Sequence, residues 1–71
     1  MAKPERVKKS LLEAEERAFM LSHNFPTLRF WVLDKPGCKP VVTAMEFSRQ
    51  LYEATGYAIH AEYRDGIRWG R

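Results

Sequence analysis

The segment 57–69 constrains the fold most, because its residues alternate with the two-residue period of a β-strand. The apolar series Tyr57, Ile59, Ala61 and Tyr63 alternates with Ala58, His60, Glu62 and Arg64. Asp65-Gly66 then has the composition of a turn, and the alternation resumes from Ile67 to Trp69. The pattern predicts a β-hairpin at the end of the chain, with one apolar face and one charged face.

The length of the hairpin loop decides which residues share a face. A two-residue loop, Asp65-Gly66, would pair Arg64 with Ile67 and Glu62 with Trp69. That register would place the two apolar residues of the last strand on the charged face.

A three-residue loop that begins at Arg64 would instead place Ile67 and Trp69 on the apolar face. It would also set Glu62 opposite Arg68, which is a favourable cross-strand ion pair. Because this register satisfies burial and charge together, we expect it, with Gly66 in the left-handed position of a bulge. The residues that would then share one exposed face are His60, Glu62 and Arg68.

The N-terminal third of the chain has the periodicity of an amphipathic helix. Its apolar seam, at spacings of three and four, consists of Val7, Leu11, Ala14, Ala18, Leu21 and Phe25. Pro4 suits a first helical turn, Asn24 a C-terminal cap, and Pro26 cannot continue the helix. The pattern predicts a first helix over about residues 4–23, packed within the monomer rather than in a coiled coil.

A strand is predicted over residues 27–34, where apolar groups on both faces indicate a central position in the sheet. If Leu28, Phe30 and Val32 face the helices, Trp31 faces outward beside Arg29. A Pro/Gly turn follows, and residues 41–42 are a candidate short strand, placed at an edge because Pro40 cannot donate a hydrogen bond.

A second helix is predicted over about residues 44–55. Thr43 and Glu46 have the spacing of a capping box, and Gly56 suits a left-handed C-terminal cap. Its apolar residues, which we expect to face the sheet, are Ala44, Phe47, Leu51 and Ala54.

The order helix, strand, short strand, helix, strand, strand predicts an α+β fold. We expect residues 1–71 to form a single domain in which two helices pack on one face of a small antiparallel sheet. Residues 1–6 are a candidate frayed basic arm.

Composition limits the class of protein. A chain of 71 residues with 45% hydrophobic content is expected to fold as one small domain. Cys38 is the only cysteine, which excludes a disulfide within the chain and suits a reducing compartment.

Neither a metal nor another cofactor is expected, because Cys38, His23 and His60 lack zinc-ligand spacing. A core this small is thinly stabilised, so homodimer formation is a hypothesis.

No membrane partner is expected. The longest apolar run, Phe30 to Leu33, has four residues, whereas a bilayer-spanning helix requires about 20. The charged N-terminal segment lacks the apolar stretch of a signal peptide. We therefore expect a cytoplasmic protein.

The net charge of +3 is unevenly distributed, with a basic start, an acidic first helix and a mildly basic end. Cations at a helix N-terminus oppose the helix dipole, so helix stability does not explain the basic start of the chain. Contact with phosphate or with an acidic protein surface would explain it. Nucleic-acid binding is therefore our alternative prediction. Its candidate residues are Lys3, Arg6, Lys8, Lys9, Arg64 and Arg71.

The sequence has no Gly-rich phosphate loop, metal motif or Ser/His/Asp set. We expect a non-enzymatic regulator or inhibitor that binds another protein, as many small phage and bacterial accessory proteins do. The candidate contact residues are Arg29, Trp31, His60, Glu62 and Arg68, since exposed Trp and Arg are typical of protein interfaces. A small ribonuclease that uses His60 and Glu62 for proton transfer is a third hypothesis.

Overall fold

The computed structural model describes residues 9–69, which form two helices and four strands in the predicted order. The elements are α1 (Lys9–Asn24), β1 (Arg29–Asp34), β2 (Val41–Thr43), α2 (Glu46–Ala54), β3 (Ala58–Arg64) and β4 (Ile67–Trp69). The strands form one antiparallel sheet in the order β2-β1-β3-β4. The predicted α+β class is confirmed. The predicted helix start at residue 4 and the cations Lys3, Arg6, Lys8 and Arg71 lie outside the described residues.

The strand β1 is an inner strand whose side chains are buried on both faces of the sheet, as its composition predicted. On the first face, Phe30 and Val32 pack against α1. The helix contributes Leu11, Ala14 and Ala18 to this core, and the two alanines leave room for a close approach to the sheet.

The second face of β1 is covered by α2. Trp31 and Leu33 are buried but do not belong to the cluster formed with α1. The guanidinium of Arg49 lies 5.0 Å from the centroid of the Trp31 ring. Among the described residues, α2 contacts β1, β2 and β3 but neither α1 nor β4. The helices therefore lie on opposite faces of β1, which differs from the single shared face that the sequence suggested.

The connection from β2 to β3 explains the position of α2. Both strands are antiparallel to β1 and flank it, so they run parallel to one another. Parallel strands need a crossover connection, usually a helix, and α2 is that helix. It carries the chain across the second face of β1.

The helix α2 presents its polar side, not its apolar side, to the sheet. None of its nine residues is buried, and Phe47 and Leu51 are 68% and 53% exposed. Arg49 occupies the sheet side and forms ion pairs with Glu46 at 3.6 Å and Glu53 at 2.8 Å. The expectation that Phe47 and Leu51 are core residues is therefore wrong.

The capping box predicted at the start of α2 is also wrong. The N-cap residue is Met45, which has no side-chain cap, and Thr43 belongs to β2. Thr43 Oγ1 instead accepts a hydrogen bond from the Met45 amide at 3.3 Å. The predicted left-handed Gly56 is confirmed, since its φ is +105° and its amide donates to the carbonyl of Glu53.

The terminal hairpin has the two-residue loop, so the predicted three-residue loop is wrong. Arg64 pairs with Ile67 and Glu62 with Trp69. Asp65 and Gly66 have φ values of +56° and +72°, the conformation of a type I′ turn, whose twist matches that of the strands. The left-handed conformation predicted for Gly66 is confirmed.

A contact with α1 holds this turn in place. The buried hydroxyl of Ser22 accepts a hydrogen bond from the Gly66 amide at 3.1 Å and donates to the carbonyl of Phe19 at 2.9 Å. A residue 44 positions away in the sequence therefore stabilises the turn.

Gly66→Ala should destabilise the protein, because alanine disfavours φ of +72° and its Cβ would lie 3.2 Å from His23 Nδ1. The left-handed conformation alone costs about 1–2 kcal/mol. Gly37→Ala is a matched control, since its φ is +81° and nothing lies within 4 Å of an added Cβ. Urea denaturation should give the larger loss at Gly66. Equal losses would contradict the close packing of His23 on the turn.

Trp31→Ala should lower the free energy of unfolding by about 3–5 kcal/mol, the usual cost of truncating a buried aromatic residue. Trp31 is only 6% exposed, whereas Trp69 is 44% exposed. Trp69→Ala should therefore cost much less in the same urea titration. Comparable losses for the two variants would contradict the burial of Trp31 beneath α2.

Candidate interaction surface

A half-buried carboxylate on α1, that of Glu15, contacts three side chains from the hairpin. Glu15 Oε1 accepts hydrogen bonds from Tyr63 Oη at 2.6 Å and from Arg68 Nε at 2.9 Å. His60 Nε2 lies 2.8 Å from the other oxygen, Oε2. The strands β3 and β4 thus share one acceptor on the first helix.

A β-bulge brings His60 to this cluster. In the pairing of β3 with β1, Val32 is opposite Ala61 and Leu33 is opposite Ile59, so His60 is the extra residue. The strict alternation predicted for β3 therefore breaks at His60, and its side chain reaches Glu15 on the first face of the sheet.

These contacts shift the pKa values of the cluster. Burial alone would raise the pKa of the Glu15 carboxyl, but the hydrogen bonds from Tyr63, Arg68 and His60 and the charge of Arg68 outweigh burial and lower it to about 2. Burial and the bond to Glu15 raise the pKa of the Tyr63 hydroxyl to about 12. The bond to Glu15 also raises the pKa of Arg68. At neutral pH the cluster therefore contains a fixed ion pair.

The geometry does not support the ribonuclease hypothesis. Its two proton-transfer residues, His60 and Glu62, do not meet, because His60 contacts Glu15 while Glu62 lies 3.6 Å from Arg29. Glu15 is a poor general base, since its pKa of about 2 is far below neutral pH. The cluster instead fastens the hairpin to α1.

The spacing of residues along α1 indicates that Glu15 faces the sheet, although the apolar seam alone does not include it. Leu11, Glu15, Ala18 and Ser22 follow one another at spacings of four, three and four, so two polar residues interrupt an apolar line on the helix. A carboxylate in such a line requires a cationic or hydrogen-bonding partner when it is buried. The partners come from the other end of the chain.

Among the described elements, no helix covers the second face of the sheet where β3 and β4 extend beyond α2. We define the open-face patch by five residues that the pairing of β1, β3 and β4 brings together: Arg29, Glu62, Arg64, Ile67 and Trp69. Ile67 is 52% exposed and Trp69 is 44% exposed. The patch exists because the two-residue loop turns both apolar residues of β4 away from α1.

Internal contacts fix the side chains of the open-face patch. The guanidinium of Arg64 lies 4.8 Å from the centroid of the Trp69 ring, and Trp69 Nε1 donates to the Arg64 carbonyl at 3.4 Å. Glu62 pairs with Arg29 at 3.6 Å across the strands. Two cations and one anion give the patch a net positive charge.

The predicted contact residues are therefore divided among three environments. Arg29 and Glu62 lie in the open-face patch. His60 and Arg68 bind Glu15 on the first face, so the prediction that they share an exposed face with Glu62 is wrong. Trp31 is buried beneath Arg49, so the expectation that it is exposed is also wrong. Of the alternative nucleic-acid residues, Lys9 is described at the start of α1 and Arg64 lies in the patch.

No protein-family model, curated protein or solved structure matches this chain. In the part of the chain that the structure describes, no group of three or more His, Cys, Asp or Glu side chains is placed to hold a metal ion. Over the same residues, neither helix has the length and apolar character needed to span a membrane.

Glu15→Gln should lower the free energy of unfolding at pH 7 by about 1.5–3 kcal/mol, the usual contribution of hydrogen bonds to a charged group. Because folding lowers the pKa of Glu15 from 4.5 to about 2, its contribution is present above pH 4.5 and is lost as the pH falls toward 2. The difference between variant and wild type should therefore shrink over that range in urea titrations.

Glu16→Gln is the matched control, because Glu16 is an exposed acid on the same helix. Because its side chain is exposed, the substitution should leave the free energy of unfolding at pH 7 nearly unchanged. A profile for Glu15→Gln that stays parallel to the wild type between pH 4.5 and 2 would contradict the role of Glu15.

Proposed function

We propose that this protein is a non-enzymatic binding protein whose partner is another protein and whose contact surface is the open-face patch. The observation that carries the proposal is the exposed Trp69, stacked with Arg64 on a part of the sheet that α2 does not reach.

The composition of the patch supports protein binding. Trp and Arg are enriched among the residues that contribute most to protein interfaces, and Ile67 supplies additional apolar area. Trp69 is partly exposed in the folded chain, so its aromatic surface is available to a partner.

The internal contacts of the patch also support binding, because they limit the entropy lost on association. Arg64 is already stacked on Trp69, and Arg29 is already paired with Glu62. A preorganised surface loses less side-chain freedom when a partner docks. The net positive charge favours a partner that surrounds an apolar contact with acidic groups.

A protein that binds through one surface patch can act by covering a surface of its partner. We therefore extend the proposal to a regulator or inhibitor of the kind found among phage and bacterial accessory proteins. The single cysteine suits a cytoplasmic location for this role.

The alternative is binding of single-stranded nucleic acid by the same patch. Aromatic rings on a sheet stack bases, and arginines contact phosphates or stack as well, so Trp69 and Arg64 are compatible with that chemistry. The two functions differ in salt dependence, because each phosphate contact releases counterions and nucleic-acid affinity falls steeply with salt.

Affinity capture from an extract of the native host tests the proposal. The wild-type chain should capture a protein that resists nuclease treatment, and the double variant Arg64→Ala/Trp69→Ala should lose it. With the captured partner purified, each single substitution should weaken binding by at least about 1–2 kcal/mol, the usual scale for interface anchors.

Arg17→Ala is the control, since Arg17 is an exposed cation on α1, away from the patch. It should capture as much partner as the wild type does. Undiminished capture by the double variant would refute the assignment of the patch, and capture that requires nucleic acid would favour the alternative.

A further inference from the structure

Two arginines lie directly opposite each other on the open-face patch. Arg29 of β1 and Arg64 of β3 are register partners, so their side chains leave the same face of the sheet with Cβ atoms about 4.5–5.5 Å apart. Like charges in this position destabilise a sheet. The arginine pair is therefore unfavourable for folding, and an anion held between the two guanidiniums would relieve the repulsion.

The contacts within the fold leave hydrogen-bond donors of the arginine pair available. Glu62 Oε2 lies 3.6 Å from Arg29 Nε, which is longer than a hydrogen bond, and the Arg29 side chain is 52% exposed. Arg64 lies over the Trp69 ring, which attracts its charge but offers no oxygen acceptor to its N–H groups. Both guanidiniums can therefore donate to an acceptor from outside the chain.

The charge around the arginine pair favours one kind of anion. Arg29, Arg64 and Glu62 together carry one net positive charge at neutral pH. A single carboxylate neutralises that charge, and each of its two oxygens can accept a hydrogen bond from one arginine. A phosphate monoester carries a charge of about −1.5 to −2 and would leave negative charge beside Glu62. A carboxylate is therefore the better match.

Apolar surface lies at a defined distance from the arginine pair. Ile67 is directly opposite Arg64 on the next strand, and Trp69 is opposite Glu62. Because neighbouring strands are about 4.8 Å apart, the centre of the arginine pair lies about 7 Å from β4. Two residues of extended chain, at about 3.3 Å each, span nearly the same distance.

We propose that the arginine pair binds the carboxylate of an Asp or Glu side chain in an extended segment of the partner protein, while Ile67 and Trp69 bind an apolar side chain two residues away. Side chains two positions apart in an extended segment lie on the same side, so both reach the patch together. The inference rests on the proposed function and specifies the chemistry that the open-face patch recognises. Glu62 competes with the partner's carboxylate for Arg29.

A peptide titration followed by heteronuclear NMR of the full chain tests this inference. The probe is the blocked tripeptide acetyl-Glu-Gly-Leu-amide, whose side chain carries its only charge. So small a ligand should bind with a dissociation constant of about 1–10 mM and shift the Nε–H signals of Arg29 and Arg64 and the indole signal of Trp69. The matched peptide acetyl-Gln-Gly-Leu-amide has the same shape without the charge, and it should bind about fivefold more weakly or worse.

Two substitutions with opposite expected effects separate the arginine pair from the rest of the patch. Arg29→Gln should weaken binding of the glutamate peptide about fivefold or more, because a charge-assisted hydrogen bond is lost, and should leave the glutamine peptide unaffected. Glu62→Gln should tighten binding of the glutamate peptide about two- to fivefold, the scale of an exposed ion pair. Arg17→Gln, at an exposed position on α1, is the control and should bind like the wild type. Far-UV circular dichroism should show that all variants remain folded.

Equal binding of the two peptides overturns the inference, as does weaker binding of the glutamate peptide by Glu62→Gln. Tighter binding of a phosphoserine-Gly-Leu peptide would assign the arginine pair to a phosphorylated partner instead. Tighter binding of a short oligodeoxythymidylate, with a steep loss at high salt, would assign it to nucleic acid.

The capture assay distinguishes this inference from the proposed function on which it rests. If Arg64→Ala/Trp69→Ala loses the captured protein while Arg29→Gln retains it fully, the open-face patch remains the contact surface and the role of the arginine pair is refuted. If all of these variants capture as much protein as the wild type does, the proposed function is refuted as well.

Discussion

Burial of β1 on both of its faces is the constraint on which the rest of the structure depends. Val32 and Leu33 are neighbours in the sequence, point to opposite faces of the sheet, and are both fully buried. One helix cannot cover both faces of a strand. The chain covers the first face with α1, and it covers the second with α2, which crosses β1 on its way from β2 to β3. An antiparallel sheet this small therefore needs helices on both sides, and the part that α2 does not reach becomes the open-face patch.

Local patterns in the sequence predicted the elements well, because each element follows from residues close together in the chain. The register of the terminal hairpin was predicted wrongly for the opposite reason. An ion pair between Glu62 and Arg68 was a sound local argument for the three-residue loop. In the structure Arg68 binds Glu15 instead, and Ser22 holds the turn. Both partners lie on α1, more than 40 residues away, so hairpin composition alone could not reveal them.

The orientation of α2 was predicted wrongly, because helical periodicity defines an apolar stripe but does not determine whether that stripe faces the sheet or the solvent. The decisive contact is the cation–π interaction of Arg49 with Trp31, whose ring lies beneath the guanidinium while Glu46 and Glu53 compensate its charge. This contact buries Trp31 and leaves Phe47 at the surface. The expected exposed tryptophan is consequently Trp69 rather than Trp31, and the candidate interface moves from the centre of the sheet to its β4 side.

The most direct test of how α2 packs on β1 is a nuclear Overhauser spectrum of the dilute protein, read at the ring protons of Trp31. Contacts are expected from the side-chain methylenes of Arg49 to the Trp31 ring, because the Arg49 guanidinium lies 5.0 Å from the ring centroid. Contacts from Phe47 or Leu51 to Trp31 would show that the apolar stripe of α2 faces the sheet. That result would contradict the burial of Trp31 beneath Arg49.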